Sequence, residues 1–136
     1  MAKVTLATTQ ANAAATAVKD GLDSGAGDGK MDIYDGLMPN SSDDAITTQV
    51  LLGTLTLQKP CGTVANGVLT FVKPDPCLAA VAAGIARFAR FTNSAGVAVV
   101  DGDISKAGGG GSITLLTTVI AINGPIEVDS IYLAFK

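Results

Sequence analysis

From Lys30 to the C-terminus the chain is a succession of short segments in which apolar and polar residues alternate, each ended by Gly, Asn, Asp or Pro. A period of two puts successive side chains on opposite faces of a strand. No stretch between these segments is long enough, or periodic enough at 3.6 residues, to be a crossover helix. The pattern therefore predicts a mainly β fold, an antiparallel β-sandwich or barrel of about seven to eight short strands. The exception comes first. Over 8–22, Ala14, Val18 and Leu22 recur at four-residue spacing, which predicts one N-terminal amphipathic α-helix. Thr8 or Thr9 can supply its N-cap oxygen, and Asp23-Ser24-Gly25 followed by Gly27 and Gly29 ends it. At this length the expectation is a single domain over 1–136, with the helix at 8–22 and the β-sandwich at 30–136.

The segments can be assigned one by one. In 30–36, Met31, Ile33 and Asp35 face opposite to Asp32 and Tyr34, and Asp35-Gly36 closes the strand. Residues 37–44, with Pro39, Asn40, Ser41, Ser42, Asp43 and Asp44, read as an exposed loop. In 49–58, Leu51, Leu55 and Leu57 lie on one side and Thr54 and Thr56 on the other. Residues 64–72 fold about the turn signal Asn66-Gly67, before Pro74 and Pro76. Residues 78–83 form a small-residue connector. The clearest unit is 85–104, where the four residues Asn93-Ser94-Ala95-Gly96 join two arms and the second arm ends at Asp101-Gly102-Asp103. Gly108 to Gly111 reads as a flexible joint. The remainder alternates to the end, with Gly124-Pro125 as a turn and Ile131, Leu133 and Phe135 opposite Ser130, Tyr132 and Ala134.

Hydrophobic residues make up 48% of the chain and aromatic residues only 4%, so its core must be built from small aliphatic side chains. Charged residues are only 15%, which leaves a surface poor in charge and prone to association. A net charge of −3 with scattered basic residues argues against nucleic acid as a partner. The N-terminal Met1-Ala2-Lys3-Val4 lacks the pattern of a secretory signal, and the longest weakly polar run, 113–122, is too short to span a bilayer. A cytoplasmically made protein without a membrane partner is expected. Cys61 and Cys77 each follow a proline and are expected to be buried thiols rather than functional groups, although a pair across a hairpin-like excursion is the other option.

The chain contains no histidine, which removes Ser-His-Asp and Cys-His catalysis and imidazole metal sites together. No phosphate-binding glycine motif opens a helix. An EF-hand register begun at Asp23 would put Gly25 and Gly27 at ligand positions and Tyr34 where a bidentate Glu is needed. Asp43-Asp44 and Asp101-x-Asp103 read as turn decoration. No catalytic residue, cofactor, metal or small-molecule substrate is expected.

Two features point to partners instead. Arg87 and Arg90 are the only arginines, and their spacing on one strand gives each face one guanidinium and one phenylalanine, Arg87 with Phe91 and Arg90 with Phe88. Burial of the second face against another subunit would explain this, as would an Arg stem lying over an exposed Phe. The uncharged run 115–122 has high β propensity and would be an aggregation hazard at an open edge. It is expected to be a central strand or, failing that, to be covered by a partner.

The N-terminal Ala-rich helix, Met31-Asp32-Ile33-Tyr34-Asp35-Gly36 with Pro39, Leu51-Leu52-Gly53-Thr54-Leu55-Thr56-Leu57, Asn66-Gly67-Val68, and Arg90-Phe91-Thr92-Asn93-Ser94-Ala95-Gly96-Val97-Ala98-Val99-Val100-Asp101-Gly102 follow in order along most of the chain. In that succession the chain resembles a family of small virion structural proteins of tailed phages and prophages. The two cysteines and the Gly108 to Gly111 run depart from the pattern. The resemblance implies a capsid decoration or cement protein on the virion surface, bound to the major capsid protein and homo-oligomeric, with a trimer favoured. A tail or fibre-associated, host-contacting protein is the alternative from the same setting. A carbohydrate-binding module is disfavoured by the absence of Trp and by having only Tyr34 and Tyr132 as stacking platforms. Expected contact residues are Arg87, Phe88, Arg90 and Phe91, with the N-terminal segment and the loop bearing Pro39, Asn40, Asp43 and Asp44 as clamps.

Overall fold

The computed structural model describes residues 4–135. They form one helix, α1 (Thr8–Asp23), and ten strands: β1 (Lys30–Asp35), β2 (Val50–Thr56), β3 (Gly62–Ala65), β4 (Val68–Phe71), β5 (Gly84–Ile85), β6 (Phe88–Thr92), β7 (Ala98–Lys106), β8 (Ile113–Leu115), β9 (Val119–Ile120) and β10 (Val128–Ala134). Eight strands make one sheet in the order β2-β1-β6-β7-β8-β10-β4-β3, and β5 pairs with β9 in a small second sheet. The large sheet curls on itself. Phe71 on β4 and Phe91 on β6, with three strands between them in the sheet, have ring centroids 5.2 Å apart. The fold is thus mainly β and sandwich- or barrel-like, with a single aliphatic core inside the curl that includes Met31, Ile33, Leu52, Leu55, Leu69, Ile113, Leu115 and Ile131. Burial of each such side chain contributes about 1.5–3 kcal/mol relative to exposure.

The helix rests on β3, β4 and β7 and so bridges strands that are not neighbours in the sheet. Its buried stripe is Ala11, Ala15 and Leu22, with Val18 packed against the core. This corrects the expected phase, because Ala14 lies off the stripe. The N-cap is Ala7, whose carbonyl accepts the Ala11 amide at 2.8 Å, and no side-chain cap bond is made, so neither Thr8 nor Thr9 plays that part. Two polar side chains fasten the helix: Asn12 Oδ1 accepts the Gly67 amide at 2.6 Å, and Asp23 Oδ1 accepts the Cys61 amide at 2.9 Å.

Both hairpins read from the sequence are present. Asn66 and Gly67, with φ of 53° and 77°, form the two-residue β3–β4 turn that right-twisted strands favour. In the β6–β7 loop the Asn93 side chain accepts the amides of Ala95 and Val97, both at 3.0 Å, and Gly96 supplies a φ of 83°.

Four local expectations fail for physical reasons. A β-bulge pairs Ile33 with Gly53 but Tyr34 with Leu51, so Leu52 is the extra residue. Leu52 turns into the core and Leu51 turns out of it. The β7 arm does not end at Asp101-Gly102-Asp103 but continues to Lys106, since Gly102 lets the Ile113 side chain pack directly against the strand. Third, β7 and β8 are parallel, with Ile104 opposite Ile113, across a connection of only 107–112 where a dozen or more residues are usual. The Gly108 to Gly111 run is therefore a tight return. Gly108 and Gly110 adopt φ of 86° and 85°, and a Cβ on Gly109 would stand 2.8 Å from Ser105 Cβ. The Ser105 hydroxyl then accepts the Gly111 amide at 2.9 Å. Fourth, 115–122 is no central strand: the chain leaves the large sheet after Leu115 and reappears as β9.

Candidate contact surface

Side chains 88, 90 and 92 of β6 point away from the core, yet Phe88 is fully buried and Arg90 is 7% exposed. Arg90 explains how. Directly opposite Asp101 on β7, its Nε donates to Asp101 Oδ1 at 2.8 Å and its Nη2 to Asp101 Oδ2 at 3.0 Å. Its remaining donors reach the backbone of the β1–β2 loop, Nη1 to the Asp44 carbonyl at 2.7 Å and Nη2 to the Ser41 carbonyl at 3.4 Å. That loop returns across the outer face as a strap. Within it, Ser41 Oγ accepts the Asp43 amide, which shapes the turn that presents those carbonyls. Gln49 ties the ends by donating to the Leu37 carbonyl at 2.7 Å and accepting the Thr47 amide at 2.9 Å. Tyr34 stacks on Phe88 with centroids 5.2 Å apart. Burial, then the nearby Asp32 charge, raises the Tyr34 pKa, and the Asp101 hydrogen bond raises that of Arg90.

The second face of β6 is therefore covered by the chain's own strap. Phe88, Arg90 and Phe91 have no surface to offer a partner: Phe91 lies in the core against Phe71, and Arg90 is the pin of an internal clamp. Of the four, only Arg87 is exposed, and its Nε lies 3.1 Å from Asp35 Oδ1. The Ile85 amide, then Arg87, holds the Asp35 carboxyl below its ordinary range. On the strap, Asn40, Asp43 and Asp44 are exposed and Pro39 is half-buried. Of the N-terminal segment, Val4, Thr5 and Ala7 are exposed, while residues 1–3 lie outside the described residues.

A different region carries the unsatisfied surface. The segments 78–86 and 116–126 contain no charged residue and are laced together. Gly84 pairs with Ile120 and Ile85 with Val119. Ala86 donates to the Thr118 carbonyl, Ala80 to the Gly124 carbonyl and Asn123 to the Ala80 carbonyl, each at 2.8 Å. Ala80, Ala86, Ile120 and Ile126 turn inward and anchor this lobe to the core. Leu78, Val81, Ile85, Leu116, Val119 and Ile122 turn outward, with exposures from 42% to 79%. Asp35, which borders the lobe through the Ile85 amide, is neutralised by Arg87. Soluble monomers rarely leave so many large aliphatic side chains grouped at the surface. The sequence signal for this lobe was its freedom from charge, which the alternating pattern disguised as a strand.

Elsewhere several polar groups are committed to the fold. Asp103 accepts the Ser112 amide at 3.0 Å, which lowers its pKa, and so holds the glycine return in place. Lys19 pairs with Asp23 at 3.2 Å. Among the described residues no cluster of three or more His, Cys, Asp or Glu could hold a metal ion. A cavity of about 100 Å³ beside the β10 bulge is lined by Thr70, Lys73, Asp129 and Tyr132 among others. It is well below the 300 Å³ at which ligand pockets typically begin. Both thiols are free, and burial, then the Asp23 charge, pushes Cys61 up to about 12. No helix among the described residues is long and apolar enough to cross a membrane. Comparison with protein-family models, with curated proteins and with solved structures gives no match.

Proposed function

We propose that this chain is a bacteriophage virion structural protein, a decoration or cement protein that acts at the capsid surface by packing between subunits of the major capsid protein. The observation that carries this reading is the uncharged lobe, where six large aliphatic side chains stand exposed outside the core. Such a surface gains free energy when another protein covers it, at about 25 cal/mol for each Å² of apolar area removed from water. A cement protein acts in many copies, so a modest contact per copy is enough. The curled sheet provides a rigid body, the Arg90 clamp ties down the long β1–β2 loop, and Ser105 holds the glycine return. The resemblance of its motif succession to small phage structural proteins points to the same setting. The chemistry in view is that of contact, with no catalytic, metal or cofactor step.

The test is to mix purified protein with phage heads that lack it and to examine them by sedimentation and cryo-electron microscopy. Stoichiometric density at fixed lattice positions is the expected result. Binding to tails alone would replace this with the tail or host-contact role, and binding to neither would overturn the particle role.

A further inference from the structure

We propose that Asn123 is a site of spontaneous covalent modification, deamidation through a cyclic imide closed by Gly124, while the chain's other Asn-Gly pair, Asn66-Gly67, is held against the same reaction by Asn12. The inference stands apart from the packing role, because it is read on the free chain.

The chemistry needs only solvent. The backbone nitrogen of the residue after an asparagine gives up its proton and bonds to the side-chain Cγ, the C–N bond of the carboxamide breaks, and ammonia leaves. Water then opens the cyclic imide at either carbonyl, giving aspartate or isoaspartate. Glycine, with no Cβ, hinders the attack least. Asn-Gly occurs twice in the chain, at 66–67 and at 123–124. Both asparagines are exposed, and both hold left-handed backbone with φ of 53° and 65°. Dipeptide chemistry and backbone conformation therefore rank the two alike, and the bonds around them decide.

The glycine nitrogen must swing toward the side chain, so each pair reacts through local opening, and the cost of that opening varies across a fold. At 66–67 it is high. The buried Gly67 donates its amide to Asn12 Oδ1 of α1 at 2.6 Å, and its carbonyl accepts the Phe135 amide at 2.8 Å. The turn also closes the β3–β4 ladder, from Ala65↔Val68 to Gly62↔Phe71. Releasing Gly67 thus disturbs the helix, the hairpin and the end of the last strand together. At 123–124 the Gly124 amide bonds within its own turn, to the Ala121 carbonyl at 2.9 Å, and residues 121–123 are all exposed. The pair is tied to the rest of the lobe through one residue: Asn123 donates to the Ala80 carbonyl and Ala80 to the Gly124 carbonyl. Pro125 follows and has no amide to add. The strands beside it, β5 and β9, are two residues each.

Reaction at Asn123 would place a carboxylate in segments that bear no charge. Isoaspartate also lengthens the backbone by one methylene, which would throw Gly124 out of line with Ala80.

The test is to hold the full chain in mildly alkaline buffer at body temperature and to follow acidic species by isoelectric focusing, locating aspartate and isoaspartate by peptide mapping. Product at 123 should form on the order of ten times faster than at 66. In guanidinium chloride, where no fold distinguishes them, the two sites should react at similar rates. Asn123→Gly, which accepts the same φ, should remove the main acidic species. Asn12→Ala, with circular dichroism to confirm the fold, should speed reaction at 66 severalfold, and Asn12→Asp, which keeps the acceptor oxygen, should leave 66 as slow as in the parent. Equal native rates at the two sites, a faster reaction at 66, or a native chain unmodified at 123 while the unfolded chain reacts would each overturn the inference. Binding to phage heads enters none of these readouts, so the particle role stands or falls separately.

Discussion

The outer face of β6 and the β5–β9 lobe exchange the properties their sequences suggest. The first belongs to a segment, 87–91, that interleaves two arginines with two phenylalanines, the composition of an interface centre. In the fold it is closed, with Arg90 held by Asp101 and the strap and with Phe88 buried beneath. The second has the composition of a central strand, uncharged and aliphatic, and it stands in solvent. The difference lies in which groups the chain can satisfy by itself. A guanidinium can be satisfied by one carboxylate on the next strand and two carbonyls, and the single loop between β1 and β2 suffices to bring the carbonyls. Aliphatic surface is satisfied only by area, and the lobe lies beyond the curl that encloses the core.

Substitutions should separate the two regions. The largest effect is expected at the clamp: Arg90→Ala or Asp101→Ala leaves the other charge buried without its partner and should cost about 3–5 kcal/mol in urea denaturation. A loss below about 1 kcal/mol would mean that the face is not closed. Within the lobe, Ile120→Ala should cost about 2–3 kcal/mol because that side chain anchors the core. Its outward neighbour Val119→Ala should stay within about 0.5 kcal/mol in the dissociated protein, and equal losses at the two positions would erase the two-sided character of the lobe. At the strap, Gln49→Ala removes two hydrogen bonds and should cost about 1 kcal/mol, with faster proteolytic nicking between 37 and 48 and none in the lobe. The smallest effect belongs to the exposed Asp35–Arg87 pair at the lobe border. The folded-state pKa of Asp35 is depressed, so the stability it contributes is present above the unfolded value near pH 4 and is lost as the pH falls through the folded value. Asp35→Asn should therefore melt slightly below the parent at pH 7, and the gap should close in acid.

How much of this was legible in the sequence follows from the range of each interaction. The Asn66-Gly67 and Asn93 to Gly96 turns were readable because the conformation and hydrogen bonds that close them lie within a few residues. The inward faces of β1 and β10 were readable for the same reason, since alternation is local. The bulge at Leu52 was not, because one extra residue flips the pattern and only the partner strand β1 reveals it. Nor was the parallel β7–β8 pair, whose register depends on the close approach of Gly109 and Gly111 to Ser105. Arg90 was expected to meet another subunit, and in the fold it meets its own chain instead. Its partners, Asp101 and the carbonyls of Ser41 and Asp44, are set by the fold and come from as far as 49 residues away. The two segments of the lobe were each visible as uncharged. Their union through β5 and β9 was hidden, since two-residue strands leave no periodic trace.

The central claim is that the lobe, and not the outer face of β6, meets other subunits. Backbone hydrogen exchange, compared between dilute free protein and protein bound to heads, addresses it directly. The account predicts that amides in 78–86 and 116–122 slow on assembly while those of the strap at 37–48 and of β6 keep their free rates. Slowing at the strap and β6 with no change in the lobe would contradict it.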